Sequence, residues 1–295
     1  MAASPEPGAS FHLRRLASES GPWLLALVGG AFFWPVLFGG RTLYFRDLEL
    51  LFFSQRRLFA RLVLDGELPL WNTLLHGGTP YLGDISTASL YPTALLYLVL
   101  PDLLAFNLEI VAHFVLAGLG AYALARAFGL RQAAALVAGL VFGFCGYSLS
   151  LANLFVRLLA LPWMAWILLA WHLFLTTGRP RWFAATLACG TLQIFAGAPE
   201  AVALTQATLA LWTVAAGPFT MAFRRRVGWL LAAGLLTLGL AAIQLVPLFE
   251  VLAESPRGGS GVGGEHFSDW SLPPERVPEL VAPGYLGPLD TFDEA

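Results

Sequence analysis

Long apolar runs recur along the chain with few charged interruptions. A helix needs about 20 predominantly apolar residues to cross a hydrocarbon core of about 30 Å. Seven stretches approach that length, and we interpret them as transmembrane helices near residues 22–40, 103–126, 133–151, 158–176, 182–198, 201–218 and 228–250. The fifth and sixth are slightly short and are separated by "GAPE". This pattern predicts an all-α polytopic membrane protein.

The stretch between the first two runs, residues 41–102, shows a different pattern. Its first part is amphipathic at helical spacing, which predicts a helix lying in the plane of the lipid headgroups. The apolar stripe consists of Leu48, Leu51, Phe52, Leu58, Phe59 and Leu62, and the charged stripe of Glu49, Arg56, Arg57 and Arg61. We expect the three arginines to face solvent and lipid headgroups. The following "GELPLWNTLLHGGTPYLGD" predicts an ordered loop, and "ASLYPTALLYLVLP" a half-inserted or interfacial helix.

Composition agrees with a membrane protein and excludes one class of partner. Hydrophobic residues make up 57% of the chain and charged residues 12%, against about 25% charged residues in ordinary soluble domains. The net charge of -2 supplies no basic field for the phosphates of a nucleic acid, so we expect no nucleic-acid partner.

The positions of the arginines predict the orientation of the helices. With the N-terminus in the cytoplasm, the short cytoplasmic segments carry Arg14, Arg15, Arg126, Arg131, Arg179, Arg181, Arg224, Arg225 and Arg226. We therefore expect a cytoplasmic tail over residues 1–21 and a transmembrane module over 22–252 whose first outer loop is 41–102. Residues 253–295, rich in glycine, proline and acid, are expected to be an outer loop of a protein that continues further.

Several motifs, taken in order, resemble one membrane protein family. They are an aspartate just after the first span, "GELPLWN", "GGTPYLGD", "YPTALLYLVLP", "AHFVLAGLGAYALARAFGL", "FAGAPE" and "IQLVPLFEVLAESPRGG". In this order and spacing, the chain resembles the N-terminal part of bacterial YfhO-like membrane proteins, which belong with the GT-C class of glycosyltransferases. The resemblance implies an inverting hexosyltransferase in the cytoplasmic membrane. Its donor would be a polyprenyl-phosphate-linked sugar, and a cell-envelope glycan or lipid would accept the sugar at the outer face.

The resemblance assigns the main catalytic role to Asp47, because GT-C enzymes carry an acidic residue in the first outer loop soon after the first span. Sugar transfer from a lipid phosphate needs one carboxylate to take the proton of the acceptor hydroxyl. The alternative for Asp47 is an N-cap of the interfacial helix. Asp84 is the second candidate acid, and its alternative is a residue that shapes a turn.

Residues expected to bind the substrate lie near the outer ends of the helices. The arginine fork suits phosphate oxygens, which favours Arg157, Arg257 and Arg46. Glu200 and Glu250 are carboxylates close to hydrocarbon, where an unused charge is costly. The alternatives are a snorkelling side chain for Arg157, and helix capping or pairing with an arginine for Glu200.

His113 and Glu109 are four residues apart on one helix face. They indicate either a mutually satisfied buried pair, which we favour, or a proton relay or metal pair that includes His76. No spacing is typical of a metal site, so a divalent metal stays open and no other cofactor is expected. A transporter or flippase of lipid-linked sugars, or an inactive membrane subunit, are the alternative functions.

Overall fold

The computed structural model describes residues 18–44, 47–75, 77–215, 221–255, 274–282 and 285. The described part of the chain is predominantly helical and has almost no sheet, which confirms the all-α prediction. Its helices are α1 (Ser20–Phe32), α2 (Trp34–Leu37), α3 (Ser54–Leu64), α4 (Asp102–Ala127), α5 (Gln132–Phe144), α6 (Gly146–Ser150), α7 (Phe155–Thr177), α8 (Pro180–Phe195), α9 (Pro199–Val214), α10 (Phe223–Leu240) and α11 (Ala242–Glu254). Short π and 3-10 turns lie between some of them. The chain divides into two compact units, residues 1–248 and 249–295.

Within the described ranges, three helices are long and apolar enough to cross a membrane. They are Asp102–Ala127, Gln132–Asn153, which includes α5 and α6, and Phe155–Thr177. Helices α10 and α11 would make a fourth span, bent by 75°, if they count as one. The chain therefore has helices of the length and composition expected of a membrane protein, and among the described residues fewer than the seven predicted spans pass this test.

The remaining predicted spans are shorter because proline and glycine divide the apolar runs. Pro35 follows α1 closely, and since proline lacks an N–H and clashes with the preceding turn, the first run ends as two helices, α1 and α2. Similarly, α8 and α9 are 16 residues each, or about 24 Å at 1.5 Å per residue. Gly197 at φ +85 and Pro199 separate them.

Helices α4 and α7 form the centre of the first unit. Trp171, Phe106, Phe114 and Leu158 are all fully buried. On its other side α4 lies so close to α5 that a Cβ on Gly143 would come within 2.9 Å of the Phe114 carbonyl oxygen. Small residues permit such close contact between membrane helices.

The segment between the first and second apolar runs is helical, as predicted, and we keep the name interfacial helix for it. It consists of a π-helical turn, Leu48–Phe53, followed directly by α3. Leu48, Phe52 and Phe59 are buried as the apolar stripe predicts. The predicted loop then contains two short antiparallel strands, β1 (Trp71–Asn72) and β2 (Thr79–Pro80). A 3-10 helix, Pro92–Leu98, occupies the segment predicted as half-inserted or interfacial.

The second unit contributes few described residues. A 3-10 helix, Pro274–Leu280, carries an ion pair between Arg276 and Glu279 at 3.6 Å. Most of the predicted outer loop 253–295 lies outside the described residues.

Candidate functional site

A large apolar groove runs along the first unit beside α4 and α7. Its volume is about 730 Å³, which is in the range of small-molecule binding sites. The walls come from α4, α5, α7 and α9, with Leu124, Val141, Leu161 and Leu204 among the lining residues. Along α7 the lining extends from Arg157 to Leu168, which corresponds to about 16 Å at 1.5 Å per residue. A groove of this shape and lining can hold the apolar chain of a lipid.

One end of the groove carries an ion pair between Arg157 and Glu200, and we call this end the mouth. These two side chains are the charged members of the groove lining among the described residues. The Arg157 Nε donates a hydrogen bond to the Glu200 carboxylate. Both side chains are half exposed, at 45% and 46%, so a ligand can reach them. The structure thus brings together two residues that the sequence predicted separately.

The loop that carries Asp84 packs directly against the turn that precedes Glu200. Gly197 lies so close to this loop that a Cβ in its place would come within 2.2 Å of the Ile85 carbonyl oxygen. The Gln244 amide on α11 donates a 2.6 Å hydrogen bond to the Leu82 carbonyl. The loop of residues 82–85 therefore lies against both the Gly197 turn and α11, close to Glu200.

Asp84 is half buried and shapes its own turn. Its Oδ1 accepts hydrogen bonds from the Ser86 backbone N–H at 2.9 Å and from the Ser86 hydroxyl at 2.7 Å. This is the turn role given above as the alternative to catalysis. One carboxylate oxygen is thereby committed to local structure.

Asp47 stands at the start of the interfacial helix with an exposed side chain. Although it occupies the N-cap position of the π-helical turn, its carboxylate makes no capping hydrogen bond. Among the described residues no ion pair to Asp47 is present either. The carboxylate is therefore available to a substrate, and the capping alternative has no support in the geometry.

The interfacial helix is held in place by a buried ion pair that the sequence did not predict. The Arg56 Nη2 donates to Glu109 Oε1 on α4 at 2.7 Å, and the two side chains are 1% and 0% exposed. Arg56 Nη1 also donates to the Ala88 carbonyl at 2.9 Å. The expectation that Arg56 faces solvent or lipid headgroups is wrong: it lies between apolar residues one turn from Phe52, on the buried face of the helix. Neighbouring Arg57 is 61% exposed, as expected.

Two hydroxyl groups also donate hydrogen bonds to the Glu109 carboxylate. The Tyr97 hydroxyl donates to Oε2 at 2.8 Å, and the Thr93 hydroxyl donates to Oε1. Burial raises the pKa of Tyr97 well above its ordinary value, with the Glu109 charge acting in the same direction. The phenol therefore stays protonated and remains a donor. These contacts connect the 3-10 helix to α4.

His113 belongs to a neighbouring set of hydrogen bonds. Its Nδ1 lies 2.5 Å from the Glu109 backbone oxygen and its Nε2 lies 2.7 Å from the Tyr91 hydroxyl. The Trp163 indole N–H on α7 donates to the same hydroxyl at 2.9 Å. Glu109 and His113 are both buried and hydrogen-bonded, as expected. The His113 ring bonds to the Glu109 backbone oxygen, but the described hydrogen bonds do not join it to the Glu109 carboxylate, whose partners are Arg56, Tyr97 and Thr93.

Three of the other predicted site residues, Arg46, His76 and Arg257, lie outside the described residues. Glu250 is exposed on α11, in the part of this helix that belongs to the second unit. Within the described ranges, no three His, Cys, Asp or Glu side chains converge as ligands of a metal ion.

A signal for the buried ion pair was present in the sequence. Arg56 lies four residues after Phe52 and three before Phe59, so helical spacing places it on the apolar stripe. Glu109 lies within a predicted span, where a carboxylate requires a partner.

Comparison with protein-family models, with curated proteins and with solved structures gave no match for this chain.

Proposed function

We propose that the protein is a GT-C-type glycosyltransferase that takes a sugar from a polyprenyl-phosphate donor at the outer face of the cytoplasmic membrane. In this proposal the chain crosses the membrane seven times with its N-terminus in the cytoplasm. The shorter helices α1, α8 and α9 are also spans, and the bilayer around them is thin enough to match their length. The acceptor is a glycan or lipid of the cell envelope.

The observation that carries the proposal is the apolar groove with a charged mouth. A lipid-linked phosphate has a long apolar tail and one anionic group, and the groove offers apolar walls with Arg157 at one end. Arginine holds phosphate oxygens through two parallel N–H donors, which makes the contact strong and directional. The loop of residues 82–85 touches Gly197 of "FAGAPE" and Gln244 of "IQLVP", so segments that carry the resemblance lie beside the mouth, and this supports a site at this position.

Asp47 supplies the base in this proposal. The acceptor oxygen attacks the anomeric carbon, the bond from that carbon to the phosphate oxygen breaks, and the proton of the acceptor hydroxyl passes to the carboxylate. Because the leaving phosphate is a weak base, it needs a cation and not a strong acid. The buried Arg56–Glu109 pair joins the helix that follows Asp47 to α4.

Binding of the donor tests the groove. Purified protein should bind a polyprenyl-phosphate hexose, and Arg157→Gln should weaken binding by about tenfold or more, the usual effect of losing a charge-assisted contact. Arg61→Gln is the matched control, because Arg61 is exposed on α3 and does not line the groove. Equal affinity in all three proteins would contradict a phosphate site at the mouth.

Sugar transfer tests the reaction itself. Membrane vesicles that contain the protein are supplied with radiolabelled donor, and label is measured in envelope lipids and glycans. If the donor binds and crosses the bilayer without any transfer of label, the protein is a flippase of lipid-linked sugars and the transferase proposal fails.

A further inference from the structure

The mouth of the groove carries one positive and one negative side chain, and this arrangement restricts the ligands that can bind there. Arg157 and Glu200 form a pair, so the mouth offers one cation and one anion. Glu200 lies in the first turn of α9, where the helix dipole favours a carboxylate.

A bare phosphate is a poor match for this mouth. When the phosphate takes the place of the Glu200 carboxylate at Arg157, the displaced carboxylate remains within a few ångströms of the new anion. Like charges at such a distance repel one another. A lipid phosphate without a further group would therefore bind more weakly, because this repulsion offsets part of its attraction to Arg157.

A phosphate that carries hydroxyl groups matches both members of the pair. Its oxygens accept hydrogen bonds from Arg157, and a hydroxyl on the attached group donates to Glu200. Hydroxyl-to-carboxylate hydrogen bonds are short and strong. The same carboxylate that repels a bare phosphate would thus bind its hydroxyl-bearing ester.

We propose that Glu200 selects lipid phosphodiesters that bear a hydroxyl-rich group over the bare lipid phosphate. Arg157 binds the phosphate, and Glu200 accepts hydrogen bonds from the hydroxyl groups. This inference rests on the proposed function, and it assigns to Glu200 the discrimination between the sugar-loaded donor and the spent carrier. Loaded donor would enter the site, and the carrier left after transfer would be released because Glu200 returns to Arg157.

The alternative role for the ion pair is stability of the fold, and its exposure argues against a large effect of that kind. Exposed ion pairs contribute little to folding because water and salt screen them. The first turn of α9 is also fixed by Pro199 and by the contact of Gly197 with the Ile85 carbonyl. Replacing Glu200 should therefore leave the mouth folded.

The experiment compares two ligands on four proteins. The ligands are a polyprenyl phosphate and the same polyprenyl phosphate carrying a hexose, and binding is measured in phosphatidylcholine nanodiscs. The proteins are the full 295-residue chain, Glu200→Gln, Glu200→Asp and the control Glu67→Gln, whose side chain is exposed and does not line the groove.

We expect the wild type and Glu67→Gln to prefer the hexose-bearing lipid by about tenfold, the scale of a hydrogen bond to a charged group. Glu200→Gln should lose most of this preference, chiefly because the bare phosphate binds more tightly. Glu200→Asp, which keeps the carboxylate, should keep part of the preference.

Three outcomes would overturn the inference, and the last is distinguishable from the first two. The first is that Glu200→Gln retains the full preference for the hexose-bearing lipid. The second is that phosphatidylethanolamine displaces the hexose-bearing lipid from the wild type as well as unlabelled hexose-bearing lipid does. In both cases the groove binds lipid phosphate, but Glu200 does not recognise the hydroxyl groups. If neither polyprenyl lipid binds the wild type, the proposed function fails together with the inference.

Discussion

Removing one member of the buried Arg56–Glu109 pair should destabilise the protein strongly. Glu109→Gln keeps the size of the side chain but leaves the Arg56 guanidinium as a buried cation without a charged partner. The pair is 1% and 0% exposed, so water cannot compensate the lost contact. Breaking such a pair from one side costs about 3–5 kcal/mol.

The double substitution gives the magnitude of the interaction. With Arg56→Met and Glu109→Leu together, no charge is left buried, and the two apolar side chains can pack among Phe155 and Tyr97. Replacing both partners by apolar residues is often close to neutral. Measured beside the single variants Arg56→Met and Glu109→Leu, the double variant should lose less than the sum of the two single losses by about 2 kcal/mol or more, and this difference is the coupling between the two residues.

The assay is the free energy of unfolding in detergent micelles, followed by tryptophan fluorescence as denaturant is added. Arg57→Met is the matched control, because Arg57 pairs with Asp102 at 2.9 Å but is 61% exposed. Its effect should stay within about 0.5 kcal/mol. A loss below 1 kcal/mol in Glu109→Gln, or a double variant that loses the sum of the two single losses, would refute the burial and pairing of these residues.

Four further predictions address the orientation of the helices, the proposed base, the mouth of the groove and the start of α1. A cysteine placed at Gly66 in a cysteine-free protein should react with an impermeant maleimide in intact cells; reaction only after permeabilisation would invert the topology. Asp47→Asn should lower sugar transfer by about 10²–10⁴-fold with nearly unchanged thermal stability, and normal transfer would leave Asp47 without a catalytic role. Gly197→Ala should destabilise the protein by about 1–3 kcal/mol, because its φ of +85 and the nearby loop carbonyl disfavour a side chain, and an unchanged melting temperature would contradict the contact. The hydrogen bond from Arg126 holds the pKa of Glu19 below its usual 4.5, so its stabilising effect is present above pH 4.5 and is lost as the pH falls through the lowered value; acid unfolding of Glu19→Gln should lack this component, and identical acid titrations would refute it.

The helical class and the amphipathic interfacial helix could be predicted from the sequence, because both depend on local periodicity. Leu48, Phe52 and Phe59 repeat at helical spacing, and they are buried. The number of spans was harder to predict. Pro35 and Gly197 interrupt the helices within apolar runs. Hydropathy alone does not show where the backbone turns.

The site was only partly predictable, because pairing depends on distances between residues far apart in sequence. Arg157 and Glu200 were each expected at a helix end, and their contact across 43 residues appears only in the fold. Arg56 was assigned to solvent because arginine is usually exposed. Its burial follows from Glu109, a carboxylate inside an apolar helix that needs a cation.

The most direct test of the central claim locates the lipid tail. A photoreactive benzoylphenylalanine is placed at Leu204, which lines the groove on α9, or at Leu235 on α10, which is outside it. The two leucines are similarly exposed, at 61% and 72%. Irradiation with an alkyne-tagged polyprenyl-phosphate hexose should label the protein at Leu204 at least several-fold more than at Leu235, and untagged donor should suppress that labelling. Equal labelling at the two positions, or labelling at Leu204 that excess donor does not reduce, would contradict a donor site in the groove.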